Sequence, residues 1–173
     1  MEFLEKNGYN VSYIGTDENG VLNLEELKNK ITDKTILISI MFANNEVGTV
    51  QPVFEISKIA QSKNIVFHSD AVQAAGKIEI DVKNLGLNLL SISAHKINGP
   101  NGVGALFIKK GTTLEPLFHG GHQEKKKRPG TQNLPGIVGF GKACELALNF
   151  VNDKSRIKEL KETRNYLESL VEK

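Results

Sequence analysis

The chain has 173 residues, with 22 Lys+Arg against 20 Asp+Glu and a formal net charge of +2, so no global field marks a nucleic-acid or membrane-surface binder. At 39% hydrophobic and 24% charged, with one Cys and no Trp, the composition excludes disordered, fibrous and disulfide-stapled classes. The longest stretch without a charged residue, 129–141, has 13 positions and four Gly, short of the roughly 20 apolar residues that span a bilayer.

Residues 2–8 read as the end of a helix, with no apolar h-region of a secretory signal, and 10–14 as a short strand. Leu24, Leu27 and Ile31 recur at helical spacing over 23–31. The β-branched run 35–40 predicts a strand buried on both faces. Pro52 suits a helix start, and Val53, Ile56, Ile59 and Ala60 give that helix an apolar stripe. Strands follow at 65–69 and 89–94. Segment 104–108, after a Gly/Pro turn, predicts an antiparallel, hairpin-like neighbour. A long apolar helix covers 134–151. A last helix, 154–173, carries Ile157, Leu160, Leu167, Leu170 and Val171 on one stripe. Strands alternating with helices predict an α/β fold: a mostly parallel sheet with helices on both faces. The whole of 1–173 reads as one domain, and both ends look cut, as expected of a piece of a longer protein. The lone Cys144 cannot staple it, which points to a reducing cytoplasm.

In open α/β sheets ligands gather beyond the carboxyl ends of strands. Asn44, Asn45 and Glu46 follow the first long strand, Asp70 and Gln73 the second, and His95 and Lys96 the third. Three chemistries fit. A lysine at a strand end forms a Schiff base with an aldehyde, and a nearby Asp suits the pyridinium nitrogen of pyridoxal phosphate, with Ser93 and His95 as phosphate donors. Alternatively, Asp70 and Lys96 form a plain ion pair. The weakest reading is a metal held by His68, Asp70 and His95, so no metal site is assigned. The segment 99–104 precedes a strand and lacks the Gly-Lys-Ser/Thr ending, so it reads as a tight turn and not a phosphate loop. Gly130-Thr131, near a helix start, offers a hydroxyl and free backbone N–H groups to a phosphate. His119, His122 and the basic run 125–128 read as solvated loop.

Four motifs then occur in order: Asn44-Asn-Glu-Val-Gly-Thr-Val-Gln-Pro52, His68-Ser-Asp-Ala-Val-Gln73, Ser93-Ala-His-Lys96 with Gly99-Pro100, and His119-Gly-Gly through Arg128-Pro-Gly-Thr131. Together they strongly resemble the cysteine desulfurases of the NifS/IscS type, within the class V aminotransferase-like enzymes. The spacing agrees, 25 positions from Asn45 to Asp70 and 26 from Asp70 to Lys96. The resemblance implies part of the large domain of a pyridoxal-phosphate-dependent transferase of the aspartate aminotransferase type, incomplete, with the N-terminal segment and C-terminal small domain absent.

The implied roles follow position by position. Lys96 resembles the catalytic Schiff-base lysine and Asp70 the partner of the pyridinium nitrogen. Gln73 and Asn45 resemble contacts to the ring oxygen or the substrate end. Ser93 and His95 resemble phosphate ligands, and Thr131 a residue reaching the phosphate of the other subunit in a homodimer. The implied reaction converts L-cysteine to L-alanine, with sulfur passing to an enzyme cysteine persulfide and then to an acceptor scaffold protein for iron–sulfur or thiolation pathways. Neither nucleic acid nor membrane is an expected partner. The family's nucleophilic cysteine falls after Lys173, so the piece alone is expected to be inactive, and Cys144 reads as a structural thiol. His122 stands where the family has a third Gly, and Pro129 removes a hydroxyl and an N–H from the last motif. The alternatives are another class V enzyme, such as a selenocysteine lyase or an aminotransferase, and a catalytically silent scaffold fragment.

Overall fold

The computed structural model describes residues 1–171. Four strands, β1 (Leu37–Met41), β2 (Val66–Asp70), β3 (Leu89–Ser93) and β4 (Gly104–Ile108), form one sheet in that order. β1, β2 and β3 run parallel, and β4 returns antiparallel to β3, as its short connection requires. The turn between them uses left-handed backbone at Asn98 (φ 62°) and Gly102 (φ 73°), which confirms 99–104 as a tight turn.

Helices flank the sheet. α1 (Glu2–Lys6) is a single short turn, and α2 (Leu24–Lys30) starts where the Asn23 side chain accepts from the N–H groups of Glu25 and Glu26. α3 (Val53–Ser62) begins directly after Pro52 and buries Val53, Ile56 and Ala60. These meet Ile38, Phe67 and Leu90 of the sheet in the main core, with Leu22, Leu27 and Leu87 around them. Phe67 has no exposed surface; truncating such a side chain to Ala costs about 3–5 kcal/mol. α4 (Val82–Leu85) is capped by Asp81. α5 (Gln123–Lys126) is an irregular turn, and α6 (Leu134–Asn152) and α7 (Lys154–Val171) close the chain.

Several expectations change. Residues 10–14 form no strand: only Val11 and Ile14 are half-buried, and the chain is pinned instead by Gly15 N–H donating to Glu26 Oε2 and by an isolated Thr16–Leu22 bridge. β1 is buried on one face only. Ile38 is inside, but Leu37 and Met41 are exposed on β1, an edge strand of the sheet. Its start moves inward because the Thr35 hydroxyl accepts from Thr32 N–H and holds a turn there. On α7, Ile157 is half-buried, but Leu160, Leu167, Leu170 and Val171 are exposed, so most of its stripe is uncovered among the described residues; residues 172–173 of the predicted helix lie outside them.

With 19 residues, α6 is long and apolar enough by length and composition alone to cross a membrane, which the uncharged-stretch reading had excluded. Lys142 and Glu145 pair on it at 2.7 Å, and its Phe140 and Ala143 pack on Ala94 and Ile97. That packing accounts for part of its apolar character. Cys144 is half-buried on this cluster.

Candidate functional site

The parallel strands end together. Met41, Asp70 and Ser91 stand opposite one another on β1, β2 and β3. The Phe42 N–H donates to the Asp70 carbonyl at 2.7 Å, and the Ala71 N–H to the Ser91 carbonyl at 3.0 Å, so the backbone around Asp70 is held from both sides. Asp70 Oδ1 accepts the Val72 N–H at 3.0 Å, leaving Oδ2 without a partner among the described residues. The next turn closes with the N–H groups of Ala74 and Ala75 on the Ala71 carbonyl. Ala71 and Ala74 are buried, and half-buried Gln73 rides on this turn three residues beyond Asp70.

β3 runs on past Ser91 to Ser93 and into a 3-10 turn, Ala94–Ile97. Ala94 and Ile97 face inward onto α6, which leaves His95 and Lys96 exposed. Ser93 Oγ and His95 Nδ1 lie 2.8 Å apart. Gly99 permits this seat: a Cβ there would meet the Ala94 carbonyl oxygen at 2.9 Å and the Ala143 Cβ at 3.1 Å. A free amine, a hydroxyl–imidazole pair and a carboxylate thus follow the C-terminal ends of neighbouring parallel strands.

On the β1 side, Asn44 Oδ1 accepts the N–H groups of Glu46 (2.8 Å) and Val47 (3.1 Å), and the Ala43–Val50 bridge closes the loop. This loop carries Asn45, exposed. Its far end is tied down by Gln51, which accepts from Leu22 N–H at 2.9 Å and donates to the Gly20 carbonyl at 2.7 Å. Thr131 is exposed in the stretch leading to α6, and among the described residues no hydrogen bond joins it to the Asp70–Lys96 edge. Before it, Glu124, Lys125 and Lys126 all take left-handed backbone (φ 47°, 55° and 65°), a conformation unfavourable for non-Gly residues. His119 and His122 are exposed in the same region, as expected.

The plain ion-pair reading is not what the structure shows. Among the described residues every ion pair is local, between positions three or four apart, and none includes Asp70 or Lys96. Nor do three His, Cys, Asp or Glu side chains converge as metal ligands among them. Both ring nitrogens of His68 are already engaged: Nδ1 lies 2.8 Å from Ser39 Oγ and Nε2 2.9 Å from Ser91 Oγ. Burial pushes the pKa of this imidazole down, opposed by the nearby Asp70 carboxylate. The Ser39–His68–Ser91 row is the feature that sequence reasoning missed. Its signal was a polar residue at the middle position of each of three consecutive strands, Ser39, His68 and Ser91.

A family model described as aminotransferase class-V matches residues 1–172. The chain belongs to the aminotransferase class-V family. It is 53% identical over 161 residues to a cysteine desulfurase IscS of Clostridium botulinum, covering 92% of this chain and 41% of that protein. Among solved structures, a NifS-like protein superposes with a TM-score of 0.92 at 44% identity, over 98% of this chain and 46% of the other. A second, SspA in complex with cysteine, gives 0.81 at 42% identity, over 83% and 42%. The chain thus spans about 41% of the curated relative it matches.

Enzymes of this family use pyridoxal phosphate. The donor set fits that group. It has an exposed amine for an aldehyde, a carboxylate with one oxygen unengaged among the described residues for a pyridinium, and a hydroxyl beside an imidazole for a phosphate.

Proposed function

We infer that this chain is the cofactor-holding portion, within the large domain, of a pyridoxal-phosphate-dependent cysteine desulfurase. The whole protein releases L-alanine from L-cysteine and passes the sulfur to one of its own cysteines. Asp70 at the end of β2, with Lys96 presented just beyond β3 and in no ion pair among the described residues, is the observation that carries this reading. Pyridoxal phosphate, when bound, supplies an electron-withdrawing ring that weakens bonds at the substrate Cα.

The chain's own groups have distinct tasks. Lys96 would hold the cofactor aldehyde and move a proton at its Nζ. Asp70 keeps a proton on the ring nitrogen through Oδ2, while Oδ1 stays on the Val72 N–H. Ser93 and His95, oriented by their mutual hydrogen bond, take the phosphate. Gln73 and Asn45 would contact the ring oxygen or the substrate end. Thr131 reaches the phosphate of a second subunit in a homodimer, a state that the exposed Leu134, Val138 and Leu148 of α6 favour.

The sulfur-accepting cysteine lies in another part of the parent. Cys144 is unsuited: it is half-buried in α6, and burial pushes its thiol pKa up, away from the nucleophilic thiolate. The isolated chain is therefore inactive. A scaffold protein receives the sulfur, and a cytoplasmic setting suits the free thiol. Supplying L-cysteine to the full-length protein with a thiol acceptor tests the reading: alanine and transferred sulfur form in equal amounts. Alanine without sulfur transfer, or no turnover of cysteine, contradicts it.

A further inference from the structure

Ser91 stands directly opposite Asp70 in the β2–β3 ladder, and His68 sits two residues before Asp70 on the same face of β2. A serine hydroxyl at that cross-strand position is a natural donor to the carboxylate beside it. In this structure it is committed elsewhere, to His68 Nε2 at 2.9 Å, and the other ring nitrogen is anchored 2.8 Å from Ser39 Oγ on β1. Among the described residues the Asp70 carboxylate receives only the Val72 N–H.

We propose that His68 is a positioning residue for Asp70: anchored by Ser39, its ring holds the Ser91 hydroxyl away from the Asp70 carboxylate and keeps Oδ2 free for the cofactor's ring nitrogen. This rests on the assignment of Asp70 given above. A neutral imidazole donates from one nitrogen and accepts at the other; here Nδ1 carries the N–H and donates to Ser39 Oγ, and Nε2 accepts the Ser91 O–H, which commits the only proton that hydroxyl could offer Asp70. Without the ring, Ser91 turns to Asp70 and competes with the pyridinium for the same oxygen.

The test is a double-mutant cycle in the full-length protein, read by equilibrium binding of pyridoxal phosphate through its absorbance. His68→Phe, which keeps the volume, is expected to weaken binding about tenfold, the loss of one charge-assisted contact. Ser91→Ala alone leaves affinity within about twofold of the original protein, and added to His68→Phe it restores most of the loss. A merely structural role for His68 predicts no such rescue. Unchanged affinity in His68→Phe, or a double variant no better than His68→Phe, overturns the proposal.

Asp70→Ala separates the two levels. If it binds the cofactor normally, the site assignment fails and this inference with it; if it loses binding while His68→Phe does not, only the inference fails. Should His68→Phe not fold, nitrogen NMR of the unsubstituted, cofactor-free protein decides. A protonated Nδ1 and a hydrogen-bond-accepting Nε2 on His68 is the expected result, and the opposite tautomer or a freely averaging ring overturns the proposal.

Discussion

The Phe42 N–H donates to the Asp70 carbonyl oxygen at 2.7 Å, joining the end of β1 to the residue that ends β2. With Ala71 bonded to Ser91 on the other side, Asp70 is fixed by main-chain contacts that no side-chain substitution removes.

Asp70→Asn therefore changes chemistry without changing backbone. The amide oxygen can still accept the Val72 N–H, but the negative charge is gone. Turnover of the full-length protein is expected to fall roughly 10- to 150-fold, the equivalent of losing a charged hydrogen bond of about 1.5–3 kcal/mol, with melting temperature nearly unchanged. Steady-state kinetics beside a thermal melt checks this.

Gly99 and Gly141 make an opposed pair. A Cβ at Gly99 meets backbone oxygen and a neighbouring methyl, whereas one at Gly141 meets nothing within 4 Å and lies on an exposed part of α6. Gly99→Ala is expected to destabilise the protein by about 1–3 kcal/mol and to displace the turn carrying Lys96. Gly141→Ala is expected to stabilise it by about 0.5–1 kcal/mol through helix propensity. Denaturant unfolding of both variants reads the two signs.

Acid sensitivity should trace to His68. Its folded pKa lies below the ordinary value of about 6.5, so on acidification the unfolded chain takes up this proton first. The stability contributed by the neutral ring is complete above that ordinary value and is lost as pH falls through the folded pKa. Melting temperature is expected to drop between pH 7 and pH 5 more steeply in the original protein than in His68→Phe. Parallel slopes contradict this.

Most of the fold was legible because its signals are local. Asn23 caps α2, Pro52 starts α3, and the β-branched runs mark the strands. The strand-end rule also reached Asp70, Ser93, His95 and Lys96, since parallel topology alone brings those positions to one edge. What failed depended on neighbours. Periodicity says what a segment is able to bury, not what lies beside it, so 10–14 was read as a strand and β1 as doubly buried. The stripe of α7 has the spacing of a packed helix, yet Leu160 and Leu167 face open space. The His68 row was hidden for the same reason. Ser39, His68 and Ser91 are 29 and 23 positions apart, and only the register of the sheet joins them.

Lys96 carries the central claim, and chemical trapping tests it most directly. The full-length protein is loaded with pyridoxal phosphate, reduced with borohydride, digested and mapped by mass spectrometry. The expected result is one pyridoxyl phosphate group per chain, on the peptide containing Lys96 and absent from Lys96→Ala. Labelling of a different lysine, or none at all in protein that binds the cofactor, would contradict the account.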